Sequence, residues 1–220
     1  SMSKELIFNS IIHLLKTYRK IVIVSHVNPD GDALGSSLAL SLFAKKLGAE
    51  VNVIVPNDFP SYLAWMPSVE DVIIYDKNAD KANNLMSEAE LLCYLDFNTP
   101  SRTGLMHNDL CQNTKTPKIL IDHHIGADSS KFVACFSETE ISSTSEMVAE
   151  LIKYHGFETY LDDDIATNII VGMITDTGTF SHSIFKNTFS IFGEILSLTT
   201  VNYKKIHQNI YDTSTENRLR

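Results

Sequence analysis

The chain has 220 residues, 44% of them hydrophobic and 20% charged, a balance that supports a packed core and excludes intrinsic disorder. Its 18 Lys and Arg against 27 Asp and Glu give a formal charge of −9. That excludes broad electrostatic wrapping of duplex DNA, but not a phosphate substrate held by metal ions. Cys93, Cys111 and Cys135 are odd in number and form no CxxC pair, so a reducing, cytoplasmic setting is expected. No apolar run approaches the ~20 residues of a membrane span, and Asn9, Ser10 and His13 interrupt the N-terminal apolar positions.

In chain order, Leu6, Ile7, Ile11, Leu14 and Leu15 recur at helical spacing and predict a helix over Lys4 to Tyr18. Ile21 to Val24 is an unbroken β-branched run, the pattern of a strand covered on both faces. A polar loop from His26 to Asp32 leads into a helix over Ala33 to Leu47, closed by Gly48. Strands follow at Val51 to Val55, Val72 to Tyr75, Leu91 to Leu95 and Lys118 to Ile121, with a polar helix at about Lys77 to Ser87. Phe132 to Phe136 is a candidate extra strand at the edge. The alternation predicts an α/β fold with a doubly wound, mainly parallel five-stranded sheet. Beyond Ser137 the pattern turns helical. Ser143 and Glu146 have the spacing of a capping box, and further helices start near Asp162, Thr188 and Tyr203. The run Asp162-Asp163-Asp164 suits the positive end of a helix dipole and reads as a cap rather than a metal cluster.

Acidic and imidazole residues cluster where the predicted strands end. His26-Val-Asn-Pro-Asp30-Gly-Asp32 follows the first strand, Asp96 follows Leu91 to Leu95, and Asp122-His123-His124 follows Lys118 to Ile121. Open α/β sheets bind ligands outside the carboxyl ends of their strands, so three such placements point to one site. Carboxylate oxygens with added imidazoles suit a divalent metal such as Mn2+. Taken alone, the first loop is equally well read as a turn, with Asp32 as a helix N-cap. Side chains alternate along a strand, so His123 and His124 are expected to face opposite ways if the extended geometry continues. Asp176, in Thr175-Asp-Thr-Gly178, ends a predicted helix where the dipole disfavours an anion, a conflict that a nearby cation removes. No GxGxxG follows the first strand and no GxSxG occurs, which argues against dinucleotide binding and a serine nucleophile.

Taken together, His26-x-x-Pro-Asp30-x-Asp32-Ala, Asp96, Asp122-His123-His124 and Asp176-Thr-Gly resemble the four ordered motifs of the DHH phosphoesterase superfamily. Asn28-Pro-Asp-Gly-Asp-Ala-Leu-Gly-Ser36 and Ser143-Thr-Ser-Glu146 are most similar to its oligoribonuclease and 3′-phosphoadenosine-5′-phosphate phosphatase branch. The resemblance implies a Rossmann-like catalytic domain with two Mn2+ ions, Mg2+ or Co2+ being alternatives. It implies His26 and Asp30 on one ion, Asp32, His123 and Asp176 on the other, and Asp96 bridging them with a catalytic role. Asp122 would orient an imidazole and His124 would face the phosphate, as a substrate contact and catalytic residue. Arg102 is a candidate phosphate contact, with a solvated surface arginine as the equal alternative. The implied substrates are short RNA or a nucleotide bisphosphate. Single-strand exonuclease, cyclic-dinucleotide phosphodiesterase and pyrophosphatase activities are the alternatives within the superfamily, and a non-catalytic binding module the alternative outside it.

The Gly-Gly-rich segment of the superfamily's substrate-gripping second domain does not occur here. Residues 1–211 are therefore expected to form the DHH domain, and residues 212–220 to begin a linker to a domain that this chain lacks. A homodimer through the helical stretch after Ile184 is a further expectation from the resemblance. Trp65 is read as a packing residue, and no role is assigned to His182.

Overall fold

The computed structural model describes residues 3–211, so the expected linker at 212–220 lies outside the described residues. The chain opens with α1 (Lys4–Thr17), whose N-terminus is closed by the Ser3 hydroxyl accepting the Leu6 N–H. It continues through β1 (Lys20–Val24), α2 (Gly31–Lys46), β2 (Glu50–Val55), β3 (Ile73–Ile74), α3 (Ala79–Glu88), β4 (Leu91–Leu95), α4 (His107–Gln112), β5 (Lys118–Asp122) and β6 (Ala134–Ser137). Four helices complete it: α5 (Thr144–Tyr160), α6 (Asp163–Asp176), α7 (Thr188–Leu198) and α8 (Tyr203–Ile210).

The strands form one sheet in the order β3-β2-β1-β4-β5-β6, with every pair parallel. The sheet therefore has six strands rather than five. β6 pairs only with β5 and buries only Ala134 and Phe136, so its four residues leave a weak pattern in the sequence. In contrast, β4 is buried at all five positions, as its unbroken apolar run requires. The chain steps outward from β1 through β2 to β3, then returns to place β4 on the other flank of β1. That reversal opens a crevice at the carboxyl ends of β1 and β4, where doubly wound sheets hold ligands.

α2 and α6 run antiparallel and in close contact. A Cβ at Gly35 would overlap the Asn168 carbonyl oxygen and stand 3.1 Å from the Gly172 nitrogen, so the backbones meet where a side chain cannot fit. This approach sets the start of α2, with Asp30 and Asp32, beside the end of α6, with Asp176. The N-cap of α2 is Asp30, not Asp32: its Oδ1 accepts the Ala33 N–H at 2.9 Å, while Asp32 sits inside the first turn. Gly48 takes φ +104° just past that helix.

Cys93 is buried, Cys135 half-buried and Cys111 exposed, all three as free thiols. Trp65 packs against the core and its indole N–H donates to the Tyr62 carbonyl. Among the described residues no helix is long and apolar enough to cross a membrane.

Candidate metal centre

The crevice is stitched shut below the site by the Ser25 hydroxyl, which donates to the Leu95 carbonyl at 2.8 Å and joins the ends of β1 and β4. His26 comes next and is buried. Its Nδ1 lies 2.8 Å from the Val27 carbonyl and its Nε2 lies 3.1 Å from Asp96 Oδ2, so both ring nitrogens face acceptors. Burial opposes a charge on this ring, but Asp96, the Val27 carbonyl and Asp30 raise it to about 9. Asp30 Oδ1 stands 3.8 Å from the same Nε2.

Asp96 follows β4 in the left-handed region, at φ +68°, a conformation that aspartate tolerates better than most residues and that turns its carboxylate into the crevice. Its N–H is held by the Ile121 carbonyl at 3.0 Å. Burial works against its charge, yet the imidazoles of His123 and His26 hold its carboxyl well below the usual carboxylate range. Asp32 is fully buried and meets the opposite fate: desolvation and the neighbouring charges of Asp176 and Asp96 push it well above that range.

β5 ends at the buried Asp122. Its Oδ1 lies 2.6 Å from His124 Nδ1, and its Oδ2 accepts the Asn98 amide at 2.9 Å. His123 and His124 lie past the strand, and their rings sit side by side with centroids 4.3 Å apart. The alternation expected of an extended segment therefore stops at Asp122, and both imidazoles approach Asp96 Oδ1, at 3.4 and 3.9 Å. The Asp122 hydrogen bond, against a smaller cost of burial, raises His124 above its ordinary value.

His123 Nε2 is the most telling atom of the site. It lies 3.2 Å from Asp176 Oδ2, 3.4 Å from Asp96 Oδ1 and 3.6 Å from Asp32 Oδ2, yet it is buried with no properly directed hydrogen bond. Burial opposes its protonation, but Asp176 and Asp96 raise it to about 10. Among the described residues no Lys or Arg lies within ion-pair distance of Asp30, Asp32, Asp96 or Asp176, so converging carboxylates are balanced by imidazoles alone. An orphaned nitrogen ringed by carboxylate oxygens fits a divalent cation. One donor atom from each of His26, Asp30 and Asp96 lies within 4.8 Å of the others; the same holds for Asp32, His123 and Asp176, and for Asp96, His123 and His124.

Thr144, Ser145 and Asn98 also belong to the site; the sequence singled out the Ser143–Glu146 segment without giving Thr144 or Ser145 a role, and it did not mark Asn98. The Thr144 and Ser145 N–H groups hold Asp32, the Thr144 hydroxyl holds Asp96, and Asn98 ties Asp122 to the Ile125 carbonyl. The signal for Thr144 and Ser145 was the cap at Ser143, since a capped helix N-terminus is itself an anion site. The Ser143 hydroxyl does accept the Glu146 N–H at 3.0 Å, but Glu146 does not complete a capping box. Its carboxylate instead accepts the Ser142 and Thr188 hydroxyls, each at 2.7 Å.

Arg102 and His182 do not join the cluster. Arg102 lies in the 3-10 segment Pro100–Met106, its carbonyl accepts the Val27 N–H at 2.7 Å, and its side chain is exposed. His182 turns to Ser183, with Nδ1 3.0 Å from the hydroxyl. Asp162 caps α6 by accepting the Ile165 N–H, while Asp163 accepts the Thr200 N–H and hydroxyl.

Comparison with known proteins places these residues in a wider context. The profile of the DHH family, N-terminal domain, matches residues 20–173. The bifunctional oligoribonuclease and PAP phosphatase NrnA of Thermus thermophilus is 34% identical over 169 residues, covering 76% of this chain and 45% of that protein. The cyclic-di-AMP phosphodiesterase PdeA of Listeria monocytogenes is 26% identical, covering 88% of this chain and 30% of that protein. A crystal structure of an exopolyphosphatase-related protein from Bacteroides fragilis superposes with a TM-score of 0.91 at 39% identity, over all of this chain and 65% of that one. The chain thus spans less than half the length of either of these two curated relatives, and 60% of that of another, the NrnA of Mycoplasma pneumoniae.

Proposed function

Because the chain belongs to the DHH family, we propose that it is a metal-dependent phosphoesterase whose substrates are short oligoribonucleotides and 3′-phosphoadenosine-5′-phosphate, working with two Mn2+ ions. The observation that carries this reading is the convergence of imidazole and carboxylate donors around His123 Nε2 with no Lys or Arg among the described residues to neutralise them. In this reading His26 and Asp30 hold one ion, Asp32, His123 and Asp176 hold the other, and Asp96 serves both. Bound ions would supply an activated water and offset the charge that develops on the phosphoryl group.

The chain's own side chains do the rest. Asp122 accepts from His124 Nδ1, which fixes the ring and directs Nε2 away from the strand end. The Asp122 hydrogen bond also favours the protonated ring, and in that form Nε2 carries a proton that can be donated to a phosphoryl oxygen or to the leaving group. Arg102, carried on the segment that hydrogen-bonds to Val27 beside His26, is free to meet a second phosphate.

The test is turnover of a panel comprising adenosine 3′,5′-bisphosphate, dinucleotides, cyclic dinucleotides and pyrophosphate in the presence of Mn2+. Release from the bisphosphate and the linear dinucleotides is expected, and Asp96→Asn, which keeps the left-handed backbone tolerable, should lower it by about 100-fold or more. Undiminished turnover by Asp96→Asn, or no turnover of either substrate by the parent chain, would overturn the proposal.

A further inference from the structure

The first turn of α5 touches the carboxylates without being one of the groups assigned to hold ions. Thr144 reaches two of them at once: its N–H donates to Asp32 Oδ2 at 2.9 Å and its hydroxyl donates to Asp96 Oδ1 at 2.9 Å. The Ser145 N–H takes the other Asp32 oxygen at 2.8 Å. Thr144 and Ser145 are fully buried, so no water competes for these contacts.

We propose that Thr144 is a positioning residue that presets Asp32 and Asp96 for cation binding; this rests on reading the cluster as a metal centre. Four converging carboxylates, with imidazoles as their only cationic partners among the described residues, repel one another and would splay if left to solvent. Two N–H groups at a helix N-terminus grip both oxygens of Asp32, and the helix dipole favours the anion held there. Asp96 has a different need. Its backbone bends through the left-handed region, so its side chain has no regular neighbour along the strand to orient it, and the Thr144 hydroxyl supplies one. A carboxylate oxygen that accepts one hydrogen bond keeps a second lone pair for a metal, so the contact orients Asp96 without occupying it.

The turn that carries Thr144 is itself braced. Glu146, buried, accepts the Ser142 and Thr188 hydroxyls and so ties the turn to the start of α7. From the other side α6 leaves no slack, since a Cβ at Gly172 would overlap Ser145 and lie 2.9 Å from Asp32 Oδ1. Thr144 therefore cannot follow Asp96 if the carboxylate moves; the carboxylate follows Thr144.

Thr144→Val removes the hydroxyl at nearly constant shape and keeps both backbone donors. Mn2+ titration of the full 220-residue chain, read as free Mn2+ by electron paramagnetic resonance, should show affinity lowered by about 10–100-fold, with Thr144→Ser restoring it. The rise in Tm that Mn2+ induces should shrink in the Val variant and return in the Ser variant. A purely structural role would lower Tm with and without Mn2+ alike and leave the titration unchanged. Wild-type Mn2+ affinity in a folded Thr144→Val protein would overturn the proposal. If that variant does not fold, Thr144→Cys, with its weaker donor, must fall below Thr144→Ser, and equal affinities overturn the proposal. A parent chain that binds no Mn2+ removes the metal-centre reading and this inference with it, an outcome distinct from a variant that binds normally.

Discussion

At the scale of single residues, His26 and His123 define the metal-free state. Both are raised, to about 9 and about 10, against 6.5 for an ordinary histidine. A group whose pKa rises on folding stabilises the fold fully below its unfolded value and loses that contribution as pH climbs through the folded one. The buried Asp32, also raised, acts in the same direction from the carboxylate range upward. Asp96 is held low and acts oppositely, its contribution fading only as pH falls below the ordinary carboxylate value. Metal-free protein should therefore show a Tm that declines between about pH 6.5 and 10, which thermal melts in chelator will check. His26→Gln should flatten that slope, and Mn2+ affinity should strengthen over the same interval because the ion replaces the imidazole protons. The residues behind this behaviour were legible in the sequence because each sits at the end of an apolar run or in a turn. The contacts of Thr144 and Asn98 were not, because they depend on how α5 and the loop after β4 approach from far along the chain.

At the scale of elements, the contact between α2 and α6 decides whether Asp32 and Asp176 meet. Ala at a helix-interior Gly normally gains about 1 kcal/mol of helix propensity. At Gly35 the new methyl would strike the Asn168 carbonyl, a backbone atom that cannot swing aside, and overpacking costs about 1–3 kcal/mol. The clash wins. Gly35→Ala should be destabilised overall, seen as a lowered midpoint in urea, and Mn2+ should bind it less tightly because the helices are pushed apart. α2 is buried from Gly31 to Ser41, so it shows no polar stripe, and its helical character had to be read from length and from its cap. Its start was displaced to Ala33 because two aspartates compete for the cap, and only the observed Oδ1 contact chooses Asp30. The six-residue α4 is too short and too polar to announce itself by periodicity.

At the scale of the molecule, the strand order explains why one crevice collects so many carboxylates and imidazoles: β1, β4 and β5 lie side by side and all point their carboxyl ends the same way. The parallel sheet was legible because strands and helices alternate; the sixth strand was not settled by its short, half-buried pattern. If the centre binds Mn2+ in the native state only, excess ion at about 100 times Kd adds about 2.7 kcal/mol per site. For a domain of this size that corresponds to about 5–11 °C in Tm, measurable by scanning calorimetry with and without chelator. A chain whose Tm ignores Mn2+ would contradict the proposed centre.

The antiparallel pairing of α2 with α6 also orders events during synthesis. His26, Asp30, Asp32, Asp96 and His123 leave the ribosome before Asp176, which must wait for α6 to lie down along a helix made about 130 residues earlier. Until then the Asp32–His123 group lacks its third member, and the grip of Thr144 forms only shortly before. Ion capture at the Asp32–His123–Asp176 group would thus wait until α6 has packed, whereas the His26–Asp30–Asp96 group has all its members earlier.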